Sequence, residues 1–143
     1  MISVDGYEDK FKTWAEYFPD KKADLKSLSV HSSWKDVFEK EFEKPYFDGI
    51  EDYLSFQLES GGIQSKIFPY PDLVFKAFNL TPYDKVKGII LGQDPYAFVD
   101  DIGSHEIPQA MGLSFSLPYG VSMSSALRNV YTNLEKYNHF MYK

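Results

Sequence analysis

The sequence predicts a single α/β domain over residues 1–143, with a helical amino-terminal part and a three-layer arrangement of helices around a parallel sheet. Aromatic and aliphatic residues recur at helical spacing through the first 60 positions. Residues 86–91 are short, branched and nearly all apolar, as in a strand that is buried on both faces. Helical patterns precede and follow this segment, which favours a layered fold.

Three helices are expected in the amino-terminal part, over residues 7–18, 34–42 and 46–59. Pro19 ends the first, because proline cannot continue a helix. Ser32 or Ser33 caps the second, which closes before Pro45. We assign the aromatic stripes of these helices to the core and give them no chemistry.

The second half of the chain alternates helices and strands. A short helix is predicted over residues 72–78, with Asp72 near its positive end. The buried strand at 86–91 follows, then a second short strand at 112–116 and a last helix through Leu127 and Leu134.

Composition excludes several functional classes. The 143 residues carry 15 basic and 21 acidic side chains, a net charge of −6, so any contact with nucleic acid must be local. Without cysteine there is no disulfide or Cys-ligated metal, and the three histidines, His31, His105 and His139, are scattered. We therefore expect no all-His metal site.

The amino-terminal residues lack the basic and apolar regions of a signal peptide, and no apolar stretch approaches membrane-spanning length. We therefore expect a soluble intracellular protein, cytoplasmic or nuclear, without a membrane partner.

The chemistry is expected directly after the strand at 86–91, in Gly92-Gln93-Asp94-Pro95-Tyr96. In layered α/β folds, working groups lie beyond the carboxyl ends of the strands. Pro95 fixes the backbone beside Asp94, so the carboxylate is expected at the rim of the core. Local physics leaves two roles open for Asp94, ordering the turn or catalysis.

This pentapeptide resembles the catalytic signature of family 1 uracil-DNA glycosylases. Further blocks resemble that family in the same order over about residues 33–136: Trp34 with Val37, residues 45–47, 68–78, 86–96, 109–116 and 125–131. The resemblance implies excision of uracil from DNA for base-excision repair. The nucleotide flips out of the stack and its N-glycosidic bond is hydrolysed without metal or cofactor.

The resemblance also implies roles for single residues. Asp94 matches the carboxylate that stabilises an oxocarbenium-like sugar and positions water. Backbone N–H groups near Gln93 match donors to the departing uracil, and the Gln93 amide can hold them in place. Tyr96 matches the ring that excludes the thymine methyl group, and Phe115 the ring that stacks on the flipped base.

Ser124 and Ser125 fall where the family has a serine-ending loop that pinches the DNA backbone. Two interpretations stay open at these serines, a hydrogen bond to a phosphate or capping of the last helix. Met123 and Ser124 stand where the family usually has prolines, so this loop is expected to be less rigid.

The sequence departs from the family in three ways. Ala97 replaces a histidine, and an acidic insertion at residues 98–107 separates the pentapeptide from Gln109. The family's carboxyl-terminal motifs are not found, and the predicted sheet is incomplete, so we expect exposed apolar surface. The resulting hypothesis is a uracil-DNA glycosylase that acts on uracil-containing DNA as part of a longer or split enzyme, completed by a second polypeptide. The alternative is a non-catalytic glycosylase-derived module that binds DNA or protein.

Overall fold

Helices and one β-hairpin, joined by 3-10 turns, form the part of the chain that the structure, a computed structural model, describes: residues 11–61, 66–102 and 105–137. The helices are α1 (Trp14–Tyr17), α2 (Lys35–Phe42), α3 (Pro45–Gly61), α4 (Pro71–Val74), α5 (Lys76–Leu80) and α6 (Ser125–Tyr137). The strands are β1 (Val99–Ile102) and β2 (His105–Pro108), and the 3-10 turns cover Leu25–Ser27, Ser32–Trp34 and Tyr83–Lys85.

The amino-terminal helices agree with the predicted spacing and differ at their ends. Helix α1 is a single turn, because Thr13 and Glu16 close a capping box at its start; Tyr7 lies outside the described residues. Ser32 and Ser33 lie in a 3-10 turn that leads into α2. The helix predicted over residues 72–78 is split in two at Phe75.

An aromatic core fills the space between these helices. Its buried members are Trp14, Phe18, Ala23, Leu25, Leu28, Phe38, Phe47, Leu58 and Phe75. Phe38 packs edge-on against Phe75 and Phe78, both at 4.9 Å between ring centroids, a geometry that aromatic pairs prefer. This core confirms the predicted core positions of Trp14, Phe18, Phe38 and Phe47. Tyr46 and Tyr53 of α3, also assigned to the core, are instead 48% and 63% exposed.

A second, smaller core lies under the hairpin and consists of Leu73, Ile107 and Met111. Strands β1 and β2 pair antiparallel, with Asp100 opposite Ile107 and Asp101 opposite Glu106. The hairpin falls within the acidic insertion, for which the sequence analysis predicted no strands. Alternation along β2 buries Ile107 and exposes Glu106.

The predicted parallel strand at residues 86–91 is wrong for the described chain. The segment is extended but has no ladder partner among the described residues, and Ile89, Ile90 and Leu91 are 83%, 72% and 91% exposed. An apolar strand is buried only where neighbouring strands bond its edges and helices cover its faces, and no described segment does so. The expected exposed apolar surface is thereby confirmed.

The second predicted strand, at residues 112–116, is also wrong. Gly112 and Phe115 both have positive φ, 69° and 57°, which turns the chain away from extended geometry. Helices with one small sheet remain consistent with the predicted incomplete α/β fold. None of the described helices combines the length and the apolar composition needed to cross a bilayer.

Candidate functional site

A cavity of about 570 Å³ lies between two loop segments and the chain around α4. One wall is residues 91–96, the other is residues 110–115, and Pro69 and Val74 complete the lining. The cavity brings together four residues that the sequence analysis selected: Gln93, Asp94, Tyr96 and Phe115. The described cavity lining does not include Ser124 or Ser125.

The first wall presents a carboxylate and an amide that contact each other. Gln93 Nε2 donates to Asp94 Oδ2 at 2.9 Å. Both side chains are exposed, whereas Tyr96 is half-buried. The sequence analysis expected the Gln93 amide to hold backbone N–H groups and expected Asp94 at a core rim. In the structure the amide instead orients the carboxylate, which faces the open cavity.

The second wall presents the ring of Phe115 on an unusual backbone. Phe115 has φ of 57° and its side chain stays 46% exposed. A left-handed conformation costs an L-residue other than glycine about 1–2 kcal/mol, and such strain is concentrated at functional sites. The Tyr131 hydroxyl of α6 donates to the Phe115 carbonyl at 3.4 Å, a weak contact. Loop and helix together hold the ring at the cavity.

The two walls are joined beside the pentapeptide. Ser114 Oγ donates to the Ile90 carbonyl at 3.3 Å. A Cβ on Gly92 would lie 3.0 Å from the same Ser114 hydroxyl oxygen. Glycine at position 92 therefore permits the close approach of the two segments, a constraint that the sequence analysis did not identify.

Buried Trp14 supports the floor of the cavity. Its indole Nε1–H donates to the Pro69 carbonyl at 2.9 Å, and Pro69 lines the cavity. The helical spacing predicts a core position for Trp14 and no further role. The need of a buried indole N–H for a hydrogen-bond partner is the signal from which this second contact could have been expected.

The hairpin carboxylates are engaged with protein groups. Desolvation would raise the pKa of Asp100, but hydrogen bonds from Ser122 and Gln109 outweigh it and hold that pKa below its ordinary value. Lys66 Nζ lies 2.8 Å from Glu106 Oε2, while Asp101 is exposed. The acidic insertion thus folds back onto the protein at two of its carboxylates.

Ser124 caps the last helix. Its Oγ accepts the Leu127 backbone N–H at 3.2 Å, and its carbonyl accepts the Arg128 N–H at 2.9 Å. The capping interpretation therefore applies to Ser124, and because a hydroxyl that accepts still carries its own proton, Ser124 can also donate outward. Ser125 opens α6, and both serines are exposed.

Within residues 11–61, 66–102 and 105–137, no group of three or more His, Cys, Asp or Glu side chains is arranged to hold a metal ion. The backbone of His105 belongs to β2. His139 lies outside the described residues.

Comparisons with known proteins point to one kind of relative. A uracil-DNA glycosylase of Wolinella succinogenes is 50% identical over 115 residues, which are 80% of this chain and 45% of that protein. A probable uracil-DNA glycosylase of Acanthamoeba polyphaga mimivirus is 43% identical over 138 residues, 96% of this chain and 36% of that protein. No protein-family model matches.

A solved structure agrees with these relatives. The crystal structure of mimivirus uracil-DNA glycosylase matches with a TM-score of 0.85 and 42% sequence identity, over 97% of this chain and 48% of that one. The chain thus spans less than half of the length of each of these three proteins. In sequence and in fold, the chain is similar to these uracil-DNA glycosylases over that share of their length.

Proposed function

We propose that this chain supplies the base-binding and carboxylate part of a family 1 uracil-DNA glycosylase, which hydrolyses the N-glycosidic bond of flipped deoxyuridine in DNA. One observation carries the proposal. Asp94, Tyr96 and Phe115 come from segments that are separated in sequence by the hairpin, and all line one cavity of about 570 Å³. A carboxylate and two aromatic rings that line one cavity suit a flat base attached to a sugar that becomes cationic.

The carboxylate has the central task. As the bond from C1′ to the base nitrogen breaks, the electron pair leaves with uracil and positive charge develops on the sugar. Asp94 stabilises that charge and orients a water molecule, whose oxygen bonds to C1′ while its proton ends on the uracil anion. The Gln93 amide, 2.9 Å from Asp94 Oδ2, keeps the carboxylate in one orientation.

The two rings divide the recognition of the base. Tyr96 is half-buried in the first wall and occupies the space that the methyl group of thymine would need. Phe115, with its ring 46% exposed, is available to stack on the flipped base. Stacking on an aromatic side chain contributes about 1–3 kcal/mol per base. Ser124 and Ser125, exposed at the start of α6, donate to a DNA phosphate.

Completion of the fold is part of the proposal. Ile89, Ile90 and Leu91 stand unpaired and exposed directly before the pentapeptide. A second polypeptide, or a further segment of a longer chain, supplies the neighbouring strands. In the alternative function, that of a non-catalytic module, the same exposed segment is the binding surface. The two functions are therefore distinguished by a measurement of activity and not by the structure.

The test is excision of uracil from a labelled single-stranded oligonucleotide with one uracil, with alkali to reveal abasic sites. The chain is first checked for monodispersity and is then assayed alone. Asp94→Asn should abolish release and retain DNA binding, whereas Asp52→Asn, an exposed carboxylate on α3, should behave like the parent. Release that is unchanged in Asp94→Asn would remove Asp94 from its role. No release by a folded chain that binds DNA would favour the non-catalytic module or a site completed elsewhere.

A further inference from the structure

A carboxylate of the hairpin accepts a hydrogen bond from the loop before α6. Asp100 Oδ2 accepts the backbone N–H of Ser122 at 2.6 Å, and Asp100 Oδ1 accepts from Gln109 Nε2 at 2.7 Å. Charge-assisted bonds of this length are about twice as strong as neutral ones. Asp100 therefore ties together the hairpin, the chain before the second cavity wall, and the loop that leads to α6.

The hairpin that carries Asp100 is itself well anchored. Ile107, opposite Asp100 in the ladder, is fully buried in the second core, and the Gln109 N–H donates to the Phe98 carbonyl at 3.0 Å. Gln109 is only 9% exposed. The Asp100 side chain starts from a backbone that is fixed in this way. Its hydrogen bond to Ser122 therefore restricts the movement of the loop and not that of the hairpin.

Besides Asp100, the described contacts of the loop are the packing of Val121 against the second core and one turn. Val121 N–H donates to the Pro118 carbonyl at 3.3 Å, and Gly120 between them has φ of 94°. Ser122 and Met123 are exposed. Two residues after Ser122, Ser124 caps α6. The Asp100 contact thus lies between a glycine turn and the helix start, where it can set the direction of the intervening backbone.

We propose that Asp100 is a positioning residue that holds the loop at residues 121–124, so that the hydroxyl groups of Ser124 and Ser125 meet a DNA phosphate at a fixed place. The inference rests on the proposed function for its DNA partner. It also explains how an acidic hairpin can lie beside a polyanion, because both Asp100 oxygens face protein N–H donors. The lowered pKa of Asp100 means that the carboxylate is ionised throughout the neutral range.

Neighbouring Asp101 offers a matched control. It carries the same charge one residue further along β1, pairs opposite Glu106 and is exposed, because successive side chains of a strand point to opposite faces. Removal of either carboxylate takes one negative charge from the hairpin. Less repulsion of phosphate should therefore strengthen DNA binding slightly in Asp101→Ala. Asp100→Ala should instead weaken it, so the two variants differ in sign.

The first measurement needs no DNA. Solvent exchange of the Ser122 backbone amide, followed by NMR, should be at least about tenfold faster in Asp100→Ala than in the parent, the factor expected for one hydrogen bond to a charged group. Asp101→Ala should leave it unchanged. Asp100→Leu, which keeps a similar shape and has no acceptor oxygen, provides the test if Asp100→Ala does not fold. Unchanged exchange at Ser122 in a folded Asp100 variant would overturn the proposal.

The second measurement uses a short labelled oligonucleotide with one uracil. We expect Asp100→Ala to raise Kd about tenfold. Serine hydroxyl groups are neutral and release no counterions, so the slope of log K against log salt should change little. Ser125→Ala should weaken DNA binding in the parent and have no further effect in Asp100→Ala, whereas a general loss of stability would leave the two effects additive. Faster Ser122 exchange with unchanged affinity would overturn this proposal and leave the proposed function standing. Absence of DNA binding by the folded parent chain would overturn both.

Discussion

Gly112 lies against the carbonyl oxygen of Leu73 so closely that a Cβ at position 112 would be 1.8 Å from that oxygen. Its φ of 69° belongs to the left-handed region, where glycine alone is free of steric cost. Leu73 is buried in the second core and Gly112 lines the cavity. The fold therefore sets the second cavity wall by a backbone contact with α4.

Substitution of Gly112 by alanine should displace this wall. We expect Gly112→Ala to lower the free energy of unfolding by about 2–4 kcal/mol, since overpacking and the left-handed backbone both add cost. Urea unfolding followed by circular dichroism measures the change. Gly49→Ala is the control, because a Cβ there meets nothing within 4 Å inside α3, and it should raise stability by roughly 0.5–1 kcal/mol. Equal stabilities for the two variants would contradict the contact.

The two tryptophans allow a second matched comparison. Trp14 Nε1 donates to the Pro69 carbonyl, and Trp34 Nε1 donates to the Thr81 carbonyl at 2.8 Å. Phenylalanine at either position removes the donor and should cost about 1–2 kcal/mol of stability. Only Trp14→Phe should increase hydrogen–deuterium exchange of residues 67–71, measured by mass spectrometry. Increased exchange there in Trp34→Phe as well would show that the effect is global.

Much of the amino-terminal fold could be predicted from the spacing of apolar residues, because α2 and α3 place Phe38, Phe47 and Leu58 in a core that local periodicity reports. The hairpin could not, since its buried residue, Ile107, is surrounded in sequence by acidic positions that read as a loop. The strand at residues 86–91 is predicted from the apolar composition of that segment. Whether such a segment is buried depends on neighbouring strands and helices that lie elsewhere in the sequence.

The candidate site, too, could be predicted only in part. The pentapeptide and Phe115 were identified through the resemblance, and the structure places them around one cavity. Their supports, Trp14, Gly112 and Asp100, act through hydrogen bonds and close approaches between distant segments. Such pairings are set by tertiary structure and leave no local pattern in the sequence.

Removal of the Tyr96 ring should open the cavity to thymine. If Tyr96 excludes the methyl group, Tyr96→Ala should reduce the ratio of uracil to thymine release by roughly 10–200-fold. This is the range of discrimination between substrates that one such group gives in an apolar pocket. Release from matched uracil and thymine oligonucleotides, in an enzyme that excises uracil, gives the ratio. Tyr53→Ala, on an exposed position of α3, should leave it unchanged, and an unchanged ratio in Tyr96→Ala would make the steric assignment wrong.

The capping box of α1 should give stability a defined pH dependence. Hydrogen bonds from the Thr13 backbone and hydroxyl groups hold the pKa of Glu16 below its ordinary value of 4.5. Because the folded pKa is lowered, the contribution is present above the unfolded pKa and is lost as pH falls through the folded pKa. The stability difference between the parent and Glu16→Ala should therefore be constant from neutral pH to about 5 and shrink below the unfolded value.

Urea midpoints at several pH values measure that difference. Glu59→Ala, an exposed glutamate near the end of α3, should show no comparable change. A Glu16→Ala difference that stayed constant into the acid range would mean that the capping bond does not depend on the charge of Glu16.

Phe115 is subject to two opposed selections. Its backbone, at φ of 57°, favours glycine or asparagine, whereas the proposed stacking on a flipped base favours an aromatic ring. A saturation library at this position, sorted once for folded protein and once for uracil excision, should therefore enrich different residues in the two sorts. The difference between the two ranked sets measures how much stability the molecule gives up to keep an aromatic ring at the cavity.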